Sequence, residues 1–143
     1  MTTESASLDQ MSDEQCWDAL RSASIGRLAV RAADGVDVFP VNFTVHEHAI
    51  YIRSAPGSKL VDLTSASTVA FEVDGSRGRD HYWSVVIRGT AERLSDDGEI
   101  ERSGILQLTT VTPTETWNFV RITPTSISGR RFTAPRASDP ARS

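Results

Sequence analysis

Arg53, Ser54, Ser58 and Lys59 fall within one short stretch of the chain, around an Ala55-Pro56-Gly57 turn. Two cations and two hydroxyls at that spacing suit an anion, and the local structure they imply adds to the case. Upstream, Ile50 and Ile52 alternate with Tyr51 and Arg53, which predicts a strand with one apolar and one polar face. Downstream, residues 59–65 predict a short helix that starts at the turn. A helix start leaves backbone N–H groups without partners and carries the positive end of the helix dipole. Arg53, Lys59 and those N–H groups would then face one point, and a phosphate is a group that such a point holds. A solvated turn with two basic residues accounts for the same four side chains. The remainder of the chain has to separate these readings.

Other chemistries are poorly supplied. His46 and His48 stand two apart with Glu47 between them, and that arrangement reads as the tip of a polar hairpin. Without a third ligand in pattern, no metal is expected. His81 falls in a charged stretch and reads as surface. Cys16 adjoins Trp17 in a predicted helix and reads as a buried structural thiol, not a nucleophile. No GxSxG elbow is present, and no GxGxxG follows a strand, which argues against a serine hydrolase of that type and a Rossmann unit. What remains is a set of ring-friendly residues: Phe39-Pro40-Val41-Asn42-Phe43, Trp83-Ser84, Trp117 and Arg130-Arg131. Trp17 and Phe71 read as core. Trp83 and Trp117 have polar or cationic neighbours, the composition of a surface that receives a flat polar ring and its phosphate tail.

Bulk composition narrows the partners. The chain has 143 residues, 15 Lys and Arg against 19 Asp and Glu, and a formal charge of −4. With no basic excess, neither nucleic acid nor an anionic membrane is an expected partner. A single cysteine precludes an internal disulfide and fits a reducing compartment. No apolar run approaches the roughly 18 residues of a membrane span. The N-terminal residues lack the basic start and apolar stretch of a signal peptide, so a cytoplasmic location is expected.

The elements that must position these residues read mainly as β. Residues 1–10 are small and polar and predict disorder, as does the Pro- and Ser-rich stretch 133–143; residues 11–132 form one domain. Ser12 and Gln15 match a capping box for a helix over residues 13–21, with Cys16, Trp17 and Leu20 on its apolar stripe. Strands are predicted at residues 27–33, 36–45, 49–53, 68–73, 82–94, 117–122 and 126–132, with a charged loop over 74–80. Pro40 marks an edge or a bulge, and the bulge, bending the strand to re-aim Asn42, is the reading adopted. Gly89 suggests a second bulge or a close backbone approach. A weak helix, interrupted by Gly104, is expected over residues 98–108. Six or seven antiparallel strands joined largely by hairpins predict a mainly β fold, a small barrel of Greek-key character with short flanking helices.

In that order along the chain, Gly26-Arg27-Leu28-Ala29, Phe39-Pro40-Val41-Asn42-Phe43, the stretch Arg53 to Leu60, Val69-Ala70-Phe71-Glu72-Val73-Asp74, Trp83 to Gly89 and Gly129-Arg130-Arg131-Phe132 resemble the pyridoxamine 5′-phosphate oxidase-like proteins, the flavin-binding split-barrel group. The likeness covers about residues 8–132. It implies a split β-barrel homodimer with FMN, or alternatively a deazaflavin, at the subunit interface. It also implies a flavin-dependent oxidoreductase acting on a small molecule, or a carrier or sensor without turnover. By the same resemblance Arg53, Ser58 and Lys59 hold the cofactor phosphate, with Ser54 and Leu60 beside them. The strand through Pro40, Val41, Asn42 and Phe43 runs along the ring, and Asn42 hydrogen-bonds its polar edge. The strand through Trp83 and Ser84 reaches the flavin from the partner subunit. Arg130 or Arg131 either stabilises charge on the reduced ring or an anionic substrate, or makes surface salt bridges.

Overall fold

A computed structural model of the chain describes residues 7–55, 60, 67–107 and 117–133. The elements are β1 (Ser7–Met11), α1 (Asp13–Arg21), β2 (Ile25–Ala32), β3 (Gly35–His46), β4 (Ala49–Ser54), β5 (Ser67–Arg77), β6 (His81–Arg93), α2 (Asp97–Ser103), a 3-10 turn (Ile105–Gln107) and β7 (Asn118–Thr133). Every strand pairing is antiparallel, in the order β1-β7-β4-β3-β2-β5-β6, and β6 pairs back onto β7. That last pairing closes strands β2 to β7 into a barrel. Along one edge β7 is paired with β6, while its other edge is shared by β4 (Asn118 to Ile122) and β1 (Met11 to Ser7 on Gly129 to Thr133) at different heights. This is the expected split barrel.

Local chemistry explains where the elements start and turn. Ser12 Oγ accepts from the Gln15 N–H and Gln15 Oε1 accepts from the Ser12 N–H, so the capping box starts α1 as the sequence implies. Glu47 and His48 both adopt positive φ in a two-residue hairpin between β3 and β4, the backbone twist that tight hairpins require. At Gly89 the β6–β7 register shifts, and a Cβ there would lie 2.3 Å from the Thr123 carbonyl oxygen. Both features expected of this glycine are present.

Four expectations are corrected. Residues 7–10, assigned to a disordered start, lie in β1; residues 1–6 and 134–143 lie outside the described residues. Strand pairing with β7 supplies the order that polar composition alone does not. Pro40 makes no bulge: β3 runs in unbroken register with β2 through Arg27↔Pro40, and β4 pairs only from Asn42 onward. The missing proline N–H therefore falls on the stretch of β3 beyond the β4 pairing, where none is needed. Asp74 to Arg77 belong to β5 and not to a loop, since β6 pairs with them. Finally, the two last predicted strands are one strand, β7. The register irregularity opposite Gly89 absorbs Thr125, whose hydroxyl donates to the Arg88 carbonyl.

The main core fills the barrel with Leu28, Val30, Phe43, Ile50, Ile52, Phe71, Val73, Val85 and Ile87. Phe43 and Phe71 meet edge to face at 5.1 Å. Helix α1 covers one mouth with Cys16, Trp17 and Leu20, and Cys16 packs so closely on Gly129 that a Cβ there would lie 2.6 Å from the sulfur. Burial raises the Cys16 thiol pKa, with Asp13 adding to the effect. A second cluster of Ala49, Tyr51, Leu94, Ile100 and Ile105 packs α2 and the 3-10 turn over the outside of β4. Hence β4 is buried on both faces from Ala49 to Ser54, where the alternating sequence suggested one solvated face.

Candidate functional site

The far end of β4 carries the site. Arg53 lies opposite Asn42 on β3 and opposite Phe119 on β7, which places the three in one row on the outer face of the barrel. Trp117, just before β7 begins, sets its ring against the guanidinium at 4.6 Å. This cover leaves Arg53 only 8% exposed. Its Nη2 is buried without a hydrogen-bond partner, and no carboxylate pairs with it among the described residues. Burial pulls its pKa below the usual arginine value. The neighbouring Ser54 has the same character, with a buried hydroxyl that finds no partner.

Two orphaned donors on adjacent residues are an unusual arrangement. A buried polar group without a partner costs about 1–3 kcal/mol, and native structures leave few such groups. An acceptor of negative charge arriving from outside the chain would satisfy both.

A clasp holds this end of β4 in place. Tyr51, two residues before Arg53 on the same face, donates from its hydroxyl to Glu99 on α2 at 3.0 Å. Arg121 on β7 donates to the same Glu99 oxygen and, at 3.0 Å, to Glu92 on β6. Burial raises the Tyr51 pKa and the bond to Glu99 raises it further. The bond to Glu99 also raises that of Arg121. Sequence reasoning missed this clasp, because its four members come from four elements and no local spacing links them. The Trp117 ring was recognised as ring-friendly, but nothing in the sequence pairs it with Arg53.

The other expected site residues divide by strand alternation. Pro40 and Asn42 are exposed on the outer face, whereas Val41 and Phe43 point inward at 7% and 1% exposure. Leu60 is buried in the main core. Ser58 and Lys59 lie outside the described residues, as does the expected 59–65 helix apart from Leu60. Trp83 points inward and lies so close to Gly75 that a Cβ there would sit 2.7 Å from the indole. Ser84 and Arg130 are register partners on the outer face, and Arg130 is exposed.

Register also sets how far apart these groups are. From Arg53 on β4 the order runs through β3, β2 and β5 before reaching Ser84 on β6. Four strand steps amount to about 19 Å around the barrel. Along β7, Phe119 beside Arg53 and Arg130 beside Ser84 are separated by about 33 Å of strand. One chain does not gather Arg53 and Ser84 around a single small ring.

The three histidines do not converge. His48 stacks on Trp17 at 4.8 Å, His46 meets Tyr51 edge-on, and His81 begins β6 opposite Arg77. No helix among the described residues is long and apolar enough to cross a membrane.

Comparison with known proteins places this architecture. The family model described as pyridoxamine 5′-phosphate oxidase matches residues 12–131. A solved Mycobacterium smegmatis structure, named as an FAD binding protein, is 34% identical, covers 87% of this chain and 98% of its own, and superposes with a TM-score of 0.78. A Corynebacterium glutamicum structure provisionally named a pyridoxamine 5′-phosphate oxidase is 40% identical, with coverages of 91% and 96% and a TM-score of 0.79. An uncharacterized Mycobacterium tuberculosis protein is 32% identical over 88 residues, 62% of this chain and 79% of that one.

Proposed function

The chain belongs to the pyridoxamine 5′-phosphate oxidase family, and from that premise we propose that it is a flavin-dependent oxidoreductase acting on a small molecule, with its cofactor held between two copies of the chain. The observation that carries this reading is the pair of orphaned donors, Arg53 Nη2 and Ser54 Oγ, at the end of β4. FMN, FAD and the deazaflavins all carry a phosphoryl group on the ribityl chain, and its oxygens supply the missing acceptors. A terminal dianionic phosphate best balances an arginine buried without a carboxylate among the described residues, which favours FMN. Ser58 and Lys59 follow in sequence as further phosphate ligands.

When bound, the flavin supplies the hydride and electron chemistry. The chain's residues bind and orient it. Asn42, exposed one strand over from Arg53, offers an amide to the polar edge of the ring, and Pro40 flanks it on the same face. Trp117 and Phe119 wall the phosphate end and keep water from the guanidinium, which strengthens its hold on an anion.

The homodimer is supported by the outer face of β2 and β3. Ile25, Val36 and Val38 are 56%, 68% and 61% exposed there, in a row that continues into Pro40 and Asn42. An apolar row of this kind suits a self-complementary two-fold contact. A second copy would bring Ser84 and Arg130 to a cofactor anchored at Arg53, which the distances within one chain do not allow.

The test is direct. The purified protein is expected to be yellow, to release FMN on denaturation as identified by mass spectrometry, to sediment as a dimer, and to lose and regain its visible absorbance with NADH or NADPH and an acceptor. Released FAD or deazaflavin would change the cofactor but keep the phosphate site. Bound flavin that no donor reduces would make the protein a carrier. A colourless protein with no thermal shift on added FMN would reject the reading.

A further inference from the structure

A concavity lies away from Arg53, at the barrel mouth where α1 meets β1 and the β5–β6 hairpin. It encloses about 670 Å³, within the range that takes a small organic molecule. One aromatic side chain, Trp83, faces into it; Tyr82 and Phe132, register partners stacked at 5.5 Å and 21°, alternate with Trp83 and project from the other face of β6 and β7 at its rim. Gly75 leaves room for the indole, since a Cβ there would collide with it, and so fixes the ring against the strand.

Arg77 and Arg131 both line the cleft, and neither forms an ion pair among the described residues. Asp9 is the register partner of Arg131 yet does not pair with it, and the other lining carboxylate, Asp18, is engaged by Arg21 at 3.1 Å. Among the described residues, two unpaired guanidiniums thus face one unpaired carboxylate. Guanidinium forks match carboxylate and phosphate oxygens, and aromatic faces accept a flat ring.

We propose that this cleft is a binding site for a planar aromatic acid, a flat ring bearing a carboxylate or a phosphate, at one per chain. The ring lies against Trp83, and the acid group is held by Arg77 and Arg131, which stand on the same face as the indole. The site shares neither Arg53 nor Ser54, so it stands independently of the flavin reading.

The experiment is calorimetric titration of the full chain with 2-naphthoate, 2-naphthyl phosphate, the neutral 2-naphthamide and the non-planar cyclohexanecarboxylate. At least one naphthyl acid should bind at one per chain, and the tighter of the two identifies the acid group. Both naphthamide and cyclohexanecarboxylate should bind at least about tenfold more weakly. Arg77→Gln with Arg131→Gln, both at exposed positions, should weaken the acid by about tenfold or more. Asp9→Asn should tighten it by about threefold, a direction that damage to the fold would not produce. Arg53→Met should leave it unchanged. The proposal is overturned by no saturable binding of either acid, by equal binding of the neutral amide or the non-planar acid, or by indifference to the Arg77/Arg131 change. It is also overturned if Arg53→Met abolishes binding, or if the Arg77/Arg131 variant loses bound flavin in parallel, because the cleft would then belong to the cofactor site.

Discussion

Replacing Arg53 with Met should move stability and ligand binding in opposite directions. In the free protein Arg53 is a cost: its charge is 8% exposed, its Nη2 lacks a partner, and no carboxylate among the described residues neutralises it. Removing an orphaned buried donor recovers about 1–3 kcal/mol. Losing the contact with Trp117, at 4.6 Å, gives back about 0.5–2 kcal/mol. Methionine keeps most of the apolar packing. The net effect on the free protein therefore lies between about 1 kcal/mol lost and about 2.5 kcal/mol gained, the upper end worth roughly 10 °C in Tm for a chain of this size. With FMN the sign reverses. A charge-assisted bond to phosphate contributes about 1.5–3 kcal/mol, so affinity should fall by about 10- to 150-fold. Thermal melts with and without FMN, together with a fluorescence titration of FMN, read both quantities. A free variant destabilised by more than about 2 kcal/mol, with FMN affinity unchanged, would show that Arg53 serves the fold and would refute the phosphate assignment.

Further outcomes follow from other residues. Val38→Asp places a charge in the exposed apolar row of β3 and should shift sedimentation toward the monomer while the monomer still folds. Gly89→Ala directs a methyl at a backbone carbonyl 2.3 Å away and should cost about 1–3 kcal/mol in chemical denaturation; an unaltered midpoint would contradict the close approach. Tyr51 has its pKa raised in the folded state by burial and then by Glu99. Its contribution is therefore complete below the ordinary value near 10 and is lost as pH rises through the elevated one. Stability should decline on the alkaline side in the parent, and Tyr51→Phe should remove that component at a cost of about 1 kcal/mol at neutral pH.

The sequence by itself determined the features that depend on neighbours in the chain. Ser12 and Gln15 cap α1 because the two partners are three residues apart. The hairpin at Glu47 and His48 needs only two adjacent strands of matched register, and Gly89 announces a place where backbone must come close. The strand and turn at Arg53 were legible for the same reason, with a phosphate and a bare basic turn equally compatible with those residues alone.

Tertiary structure decided what depends on residues distant in sequence. Residues 7–10 carry no strand signal, and β7 orders them by offering a free edge. Pro40 is tolerated because β4 stops pairing short of it, and β7 stays whole across Pro124 because β6 yields at Gly89. Composition placed Arg53 near an anion, but only the approach of Trp117 and Phe119 buries it and leaves its nitrogen unsatisfied. Likewise Arg77 reads as part of a charged loop, and Arg131 as open between a flavin or anion contact and a surface salt bridge, until β5, β6 and β7 bring them to one cleft where neither forms an ion pair among the described residues. Pattern in the chain specifies periodicity and turns; desolvation and missing partners arise only when separate strands are brought together.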